Sequence, residues 1–167
     1  MYRKMDDLLG DLESESALTQ KLLDVLTDAS LSQTVVDGHR TLGRIAWHIV
    51  TTVSEMMVKT GVMLKAVHPD APVPGRAAEI RQAYASVVGE LIEQIRSGWT
   101  DETLMKVDDM YGHSWPRGVS AQVLLSHQIH HRGQMTVLMR QAGLKVPGVY
   151  GPAKEEWSGF GAPPPEV

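Results

Sequence analysis

The chain has 167 residues, of which 43% are hydrophobic and 22% charged, and this balance is typical of one globular domain with a substantial core. The formal net charge of -4, without any run of basic residues, argues against a protein that binds nucleic acid or an anionic membrane surface. Cysteine is absent, which excludes disulfides, cysteine metal ligands and a nucleophilic thiol within the chain.

Four stretches carry apolar residues at helical spacing, and none alternates as a strand would. The first helix is predicted from about Tyr2 to Asp28 and the second from about Thr41 to Val67. The third is predicted from about Arg76 to Ser97. The fourth is predicted from Val123 to Ala142, with Ser120 as its N-cap. This pattern predicts an all-α fold, a four-helix bundle that comprises residues 1–167 as one domain.

Two segments outside these helices stand out. The connection from Trp99 to Val119, between the third and fourth helices, is long enough for a crossover or a lid. The tail, from about residue 143 to 167, is rich in Gly and Pro and cannot continue the fourth helix. Its aromatic residues Tyr150, Trp157 and Phe160 could pack back onto the bundle.

The segment "SHQIHHRGQ" contains three of the seven histidines, His127, His130 and His131. At about 100° per residue all three share one helix face with Gln134, and apolar residues on that face indicate that it is buried. Arg132 points away from this face, and we expect it to be structural. An unpartnered buried polar group costs about 1–3 kcal/mol, which a divalent cation would offset. The i, i+4 spacing of His127 and His131 suits two ligands of one metal, although such a pair can also be exposed or simply hydrogen-bonded.

A third candidate ligand is His48, in "TLGRIAWHIVTT" on the second helix. Taken alone, a histidine between Trp and Ile is equally compatible with a hydrogen-bonded core residue. Together with the pair on the fourth helix it completes a set of three. Three neutral imidazoles leave a divalent metal its full charge and at least one open position, which could hold water or a thiolate.

Several other residues could support this site. Gln134 could orient a ligand, while Arg44 and Glu55 fall near the face of the second helix that carries His48. Glu55 would then serve as a hydrogen-bond acceptor or general base and Arg44 as an anion contact, unless both belong to a solvated flank of the helix. In the segment "YGHSWPRG", His113 and Trp115 could line the mouth of the site or be exposed.

Three segments, "RTLGRIAWHIV", "LLSHQIHHRGQMTVLMRQAGLKVPG" and "YGPAKEEW", resemble the DinB/YfiT-like family of metal-binding four-helix bundles. The resemblance covers nearly the whole chain, and the combination of a single histidine with "HxxHHRGQ" is its most specific part. It implies that His48, His127 and His131 bind a divalent metal and that His130 supports them. Family members of known activity are metal-dependent transferases or isomerases that use low-molecular-weight thiols such as bacillithiol or mycothiol, and some are hydrolases.

The sequence and the resemblance together lead us to expect a metal-dependent S-transferase or hydrolase that acts on a small molecule with an external thiol. The alternative is a non-catalytic stress-response protein in which the metal is structural. Imidazole ligands suit Zn, Ni, Cu and Fe, with zinc or nickel as the first candidates. The resemblance also implies a homodimer. The acidic start lacks the apolar core of a signal peptide, and charged residues break the longest apolar stretch, Ile45–Leu64, so we expect a cytoplasmic protein without a membrane partner.

Overall fold

A computed structural model describes residues 1–65 and 71–166, and its framework is four helices. These are α1 (Met5–Leu23), α2 (Leu42–Met57), α3 (Ala77–Gly98) and α4 (Arg117–Gln141). Both α1 and α2 pack against α3 and α4, and the core lies between them. The prediction of a four-helix bundle is therefore confirmed. Among the described residues, no helix combines the length and the apolar character needed to cross a membrane.

Burial is deepest along α2. Its N-terminus is capped by Thr41, whose Oγ1 accepts a hydrogen bond from the Arg44 N–H at 3.0 Å. Thereafter every residue is buried except Arg44, His48 and Glu55, which lie near one face of an otherwise mostly apolar helix. A Cβ at Gly43 would lie 3.0 Å from the carbonyl oxygen of Leu31, so glycine permits close approach there. The N–H of Leu42 donates to the carbonyl of Gln33 at 2.8 Å and closes the intervening loop, residues 34–41, at its base.

Two helices end earlier than their apolar pattern predicts. The first ends at Leu23, and residues 28–32 form a separate 3-10 helix. The second ends at Met57 and continues only as one 3-10 turn, because Gly61 adopts the left-handed conformation, with φ of 87°. The predicted continuation is therefore wrong as far as residue 65, and its predicted end at Val67 lies outside the described residues.

Of the predictions for the other two helices, one is confirmed and one needs an earlier start. The prediction for α3 is confirmed, with small shifts at both ends. In contrast, α4 begins at Arg117, so Ser120 lies buried within the helix and is not its N-cap. Contacts with the preceding segment determine this early start. The N–H of Arg117 donates to the carbonyl of Lys106 at 2.9 Å, and the Arg117 Nε lies 2.7 Å from an Asp108 carboxylate oxygen.

The long connection between α3 and α4 contains a hairpin, so the prediction that the chain has no strand is wrong. Strands β1 (Val107–Met110) and β2 (His113–Pro116) pair in antiparallel fashion. Tyr111 and Gly112 join them, with φ of 60° and 81°, as a tight two-residue turn requires. Strands of only four residues are too short for an alternating pattern to identify them.

The C-terminal tail returns to α1 and α4 through Tyr150. Its hydroxyl donates to a Glu15 carboxylate oxygen at 2.7 Å. Arg132, only 2% exposed, forms an ion pair with the same carboxylate, bonds to the Tyr150 hydroxyl and donates to the Glu15 carbonyl at 2.8 Å. These contacts support the structural role expected for Arg132. Phe160 remains 70% exposed, so this aromatic residue of the tail does not pack onto the bundle.

Candidate metal centre

The three predicted metal ligands lie where α2 faces α4. His48 is on α2, and His127 and His131 are one turn apart on α4. The ring of His131 is buried, and the other two are partly buried. The packing of α2 against α4 therefore brings together three residues that are distant in sequence.

The Nε2 atoms of the three rings converge. The His127 Nε2 lies 3.2 Å from the His48 Nε2 and 3.0 Å from the His131 Nε2. The rings stand edge to face, with centroids 4.4–5.0 Å apart. Imidazoles that share a tetrahedral zinc ion at the usual bond length have their nitrogens about 3.3 Å apart. The donor set and its spacing thus fit a divalent cation, and this group could hold one.

Burial also prepares these rings for a metal. Burial, aided by the neighbouring imidazoles, lowers the pKa of His48 to about 4. The same causes lower the pKa of His127 to about 4. Burial lowers the pKa of His131 as well, although its hydrogen bond to Gln134 opposes the shift. The rings are therefore neutral at neutral pH, the state in which imidazole binds metals.

Gln134 links the group to His130. Its Oε1 accepts a hydrogen bond from the Nδ1 of His131 at 2.8 Å, which places the His131 proton on Nδ1 and leaves the Nε2 lone pair facing the other rings. The amide nitrogen of Gln134 lies 3.1 Å from the Nε2 of His130. His130 itself is exposed, and it contacts the cluster through Gln134 and the edge of the His131 ring. The Nδ1 of His127 is buried without a protein partner among the described residues.

The other candidates on α2 have different surroundings. Glu55 accepts a hydrogen bond from the Tyr111 hydroxyl at 2.7 Å, so its carboxylate is engaged by the turn of the hairpin. Arg44 is partly buried and lies close enough to His48 for its charge to lower the pKa of that ring. The structure therefore gives Glu55 a partner on the hairpin, while Arg44 remains beside the histidines.

The hairpin residues His113 and Trp115 are both on β2. His113 is exposed, and Trp115 is partly buried with its ring edge-on to Tyr111 at a centroid distance of 6.4 Å. The cavity next to the histidines has a different lining, so the structure does not bring these two residues to its mouth.

An open cavity of about 560 Å³ lies beside the histidine group. Two of its walls come from the predicted site, His131 and Gln134, and a third is the loop of residues 34–41. The cavity is lined by Val35, His39, Arg40, Ile45, His131, Gln134, Val137 and Leu138. Sequence reasoning missed the contribution of the loop. The only signal was two adjacent valines before the turn residues of "VVDGHR", in a segment without helical periodicity.

Comparison with known proteins places this geometry in a family. The family model described as the DinB family matches residues 1–166. YrdA of Bacillus subtilis strain 168 is 44% identical over 167 residues, the full length of both chains. The crystal structure of a DinB-like protein from Bacillus cereus ATCC 10987 has 47% identity and a TM-score of 0.87, and covers 90% of this chain and 100% of that chain.

A more distant DinB-like structure, YjoA of Bacillus subtilis, shares the fold at 17% identity. Its TM-score is 0.66, with 86% of this chain and 97% of that chain covered. The family match extends over almost the whole sequence, and the structural relatives share the same bundle. The chain therefore belongs to the DinB family.

Proposed function

We propose that this DinB protein is a metal-dependent enzyme, a transferase that uses an external low-molecular-weight thiol or, failing that, a hydrolase. The observation that supports the proposal is the convergence of three imidazole Nε2 atoms next to an open cavity of about 560 Å³. Cavities of this size are typical of small-molecule sites.

The chain would hold the cation through the Nε2 atoms of His48, His127 and His131. A divalent cation there would act as a Lewis acid and would lower the pKa of a water or thiol ligand. Gln134 would keep the proton of His131 on Nδ1, so that Nε2 stays available. His131 and Gln134 also line the cavity, which would let a substrate approach the ligands directly.

The cavity is the reason to prefer an enzyme over a protein with a structural metal. Structural zinc sites are usually closed by four protein ligands, whereas catalytic sites keep one position open. The group here has three neutral ligands, and one of them borders open space. The chain contains no cysteine, so a thiol at the site would have to come from outside.

Metal analysis of the purified protein tests the ligand set. We expect about one zinc or nickel ion per chain in the native protein and little in His48→Ala or His131→Ala. His113→Ala is the matched control, because His113 is an exposed histidine on the hairpin. Stoichiometric metal in both ligand variants would disprove the three-histidine site.

Cobalt substitution then separates catalysis from a structural role. Adding bacillithiol, mycothiol or cysteine to the cobalt protein should produce a thiolate-to-cobalt charge-transfer band, because an open position accepts an external ligand. If every thiol leaves the spectrum unchanged while cobalt remains bound, the metal is structural and S-transfer is wrong.

A further inference from the structure

The cavity beside the histidine group has an apolar body and one cationic edge. Val35, Ile45, Val137 and Leu138 supply apolar walls, and the exposed residue Arg40 also lines the cavity. Val35 is 60% exposed and Val137 51% exposed, unusually high values for two valines that share one concave surface. An organic ligand would cover both.

Arg40 has no neutralising partner among the described residues. Across residues 1–65 and 71–166, its side chain forms neither an ion pair nor a hydrogen bond. The nearest acid in its own loop, Asp37, is not paired with it. Arg40 lines the same cavity as His131 and Gln134, so an anion bound by its guanidinium would lie next to the histidine group.

We infer that the cavity binds a small organic carboxylate with an apolar body, its carboxylate held by Arg40 and its other end directed toward His131. A planar guanidinium matches a carboxylate through two parallel hydrogen bonds. A single arginine balances a singly charged group better than a phosphate, which carries more charge. The walls of valine, isoleucine and leucine side chains favour an aliphatic or aromatic body over a sugar.

This inference rests on the proposed function only in directing the other end of the ligand toward His131. Binding of the carboxylate by Arg40 can therefore be tested without metal. The probes are hexanoate and hexan-1-ol, titrated into chelator-treated protein and followed by amide NMR shifts. We expect hexanoate to bind about tenfold or more tightly than hexan-1-ol, because a hydrogen bond to a charged group has roughly that effect on affinity.

The variant Arg40→Gln should abolish this preference, and Arg44→Gln, with the same loss of charge on partly buried Arg44, should retain it. A second variant, Val137→Asp, should weaken hexanoate more than hexan-1-ol, because it places a negative charge on the cavity wall. Arg40 and Val137 are both exposed, so the fold should persist in these two variants.

Equal affinity for the two probes, or a preference that survives Arg40→Gln, would overturn the carboxylate subsite. Zinc titration of the same samples distinguishes this failure from that of the proposed function. Zinc binding without hexanoate selectivity rejects the subsite alone. Hexanoate selectivity without zinc binding supports the subsite and rejects the metal centre.

Discussion

Two neighbouring residues of α4, His131 and Arg132, are both buried and polar, yet their surroundings are opposite. Arg132 is 2% exposed and faces α1, where the Glu15 carboxylate neutralises its charge. His131 is 7% exposed and faces α2, and its ring neighbours are two more neutral imidazoles, His48 on α2 and His127 on its own helix. One side of the helix thus carries a neutralised ion pair, and the other brings together three neutral nitrogen donors.

The difference shows how a buried polar group can indicate function. A buried charge without a partner is costly, and the chain itself supplies the partner of Arg132. For the histidines, the group assembled within the described residues contains three imidazoles and no carboxylate. Three neutral donor atoms that the fold brings together, with no opposite charge in the group, are the arrangement that a divalent cation binds.

Removal of the buried ion pair between Arg132 and Glu15 should have the largest effect on stability. Arg132→Met leaves the Glu15 carboxylate largely buried without its ion pair, and we expect a loss of about 3–5 kcal/mol in the free energy of unfolding. Urea denaturation measures it. The control is Arg140→Met, which removes an exposed pair with Glu155 and should cost no more than about 1 kcal/mol. Equal losses in the two variants would contradict the contrast between a buried and a surface pair.

The next largest effect should come from acid, which should lower the free energy of unfolding of the metal-free protein through His48 and His127. The pKa values of His48 and His127 are about 4 in the folded protein, whereas an unfolded histidine titrates near its ordinary value of 6.5. The unfolded chain therefore binds more protons between these values, and stability should fall as the pH is lowered through this window. Thermal unfolding at a series of pH values measures the slope.

Replacing one titrating ring provides the check on that slope. His127→Phe should flatten the pH dependence, since its proton uptake on unfolding is removed. The exposed His113 serves for comparison, and His113→Ala should leave the slope unchanged. A slope that is unaffected by both substitutions would mean that other groups cause the acid sensitivity.

A smaller effect is expected from the residue that orients His131. Gln134→Ala removes the acceptor for the His131 Nδ1 proton and should weaken zinc binding by about 10–100-fold. Competition with a chromophoric chelator measures the affinity. Gln141→Ala, at the exposed end of the same helix, should bind zinc like the native protein. Unchanged affinity in Gln134→Ala would show that this hydrogen bond does not support the metal centre.

The smallest effect should come from Tyr150, whose hydroxyl bonds to both members of the Arg132–Glu15 ion pair. Tyr150→Phe removes one hydroxyl that bonds to Glu15 and Arg132, with an expected cost of about 1 kcal/mol in the free energy of unfolding. In an Arg132→Met background the same change should cost less, because the two groups share a partner. Additive losses in the double variant would show that the tail is held independently of Arg132.

The four helices could be predicted from the periodicity of apolar residues. The grouping of the three histidines could be predicted from their spacing and from the resemblance to the family. A helical repeat is long enough to be read from sequence, and the i, i+4 pair fixes which α4 side chains share a face. Helix ends were less predictable. The apolar pattern of "EMMVKTGVML" continues past Gly61, whose left-handed φ ends the helix.

Features that depend on tertiary contacts were missed. The hairpin has strands too short to alternate and a Tyr–Gly turn in place of the more familiar Asn–Gly. Arg40, not Arg44, lines the cavity, because the path of an irregular loop cannot be deduced from helical geometry. Glu55 shares a helix with His48, but its partner Tyr111 belongs to the unpredicted hairpin.

The hydrogen bond between Leu42 and Gln33 has an evolutionary consequence. It ties together the two ends of the loop that carries Val35 and Arg40, while Gly43 seats the start of α2 directly against Leu31. Residues within a loop closed in this way can be exchanged without displacing His48. The loop side of the cavity can therefore vary between relatives while His48 and its two neighbours on α4 keep their positions.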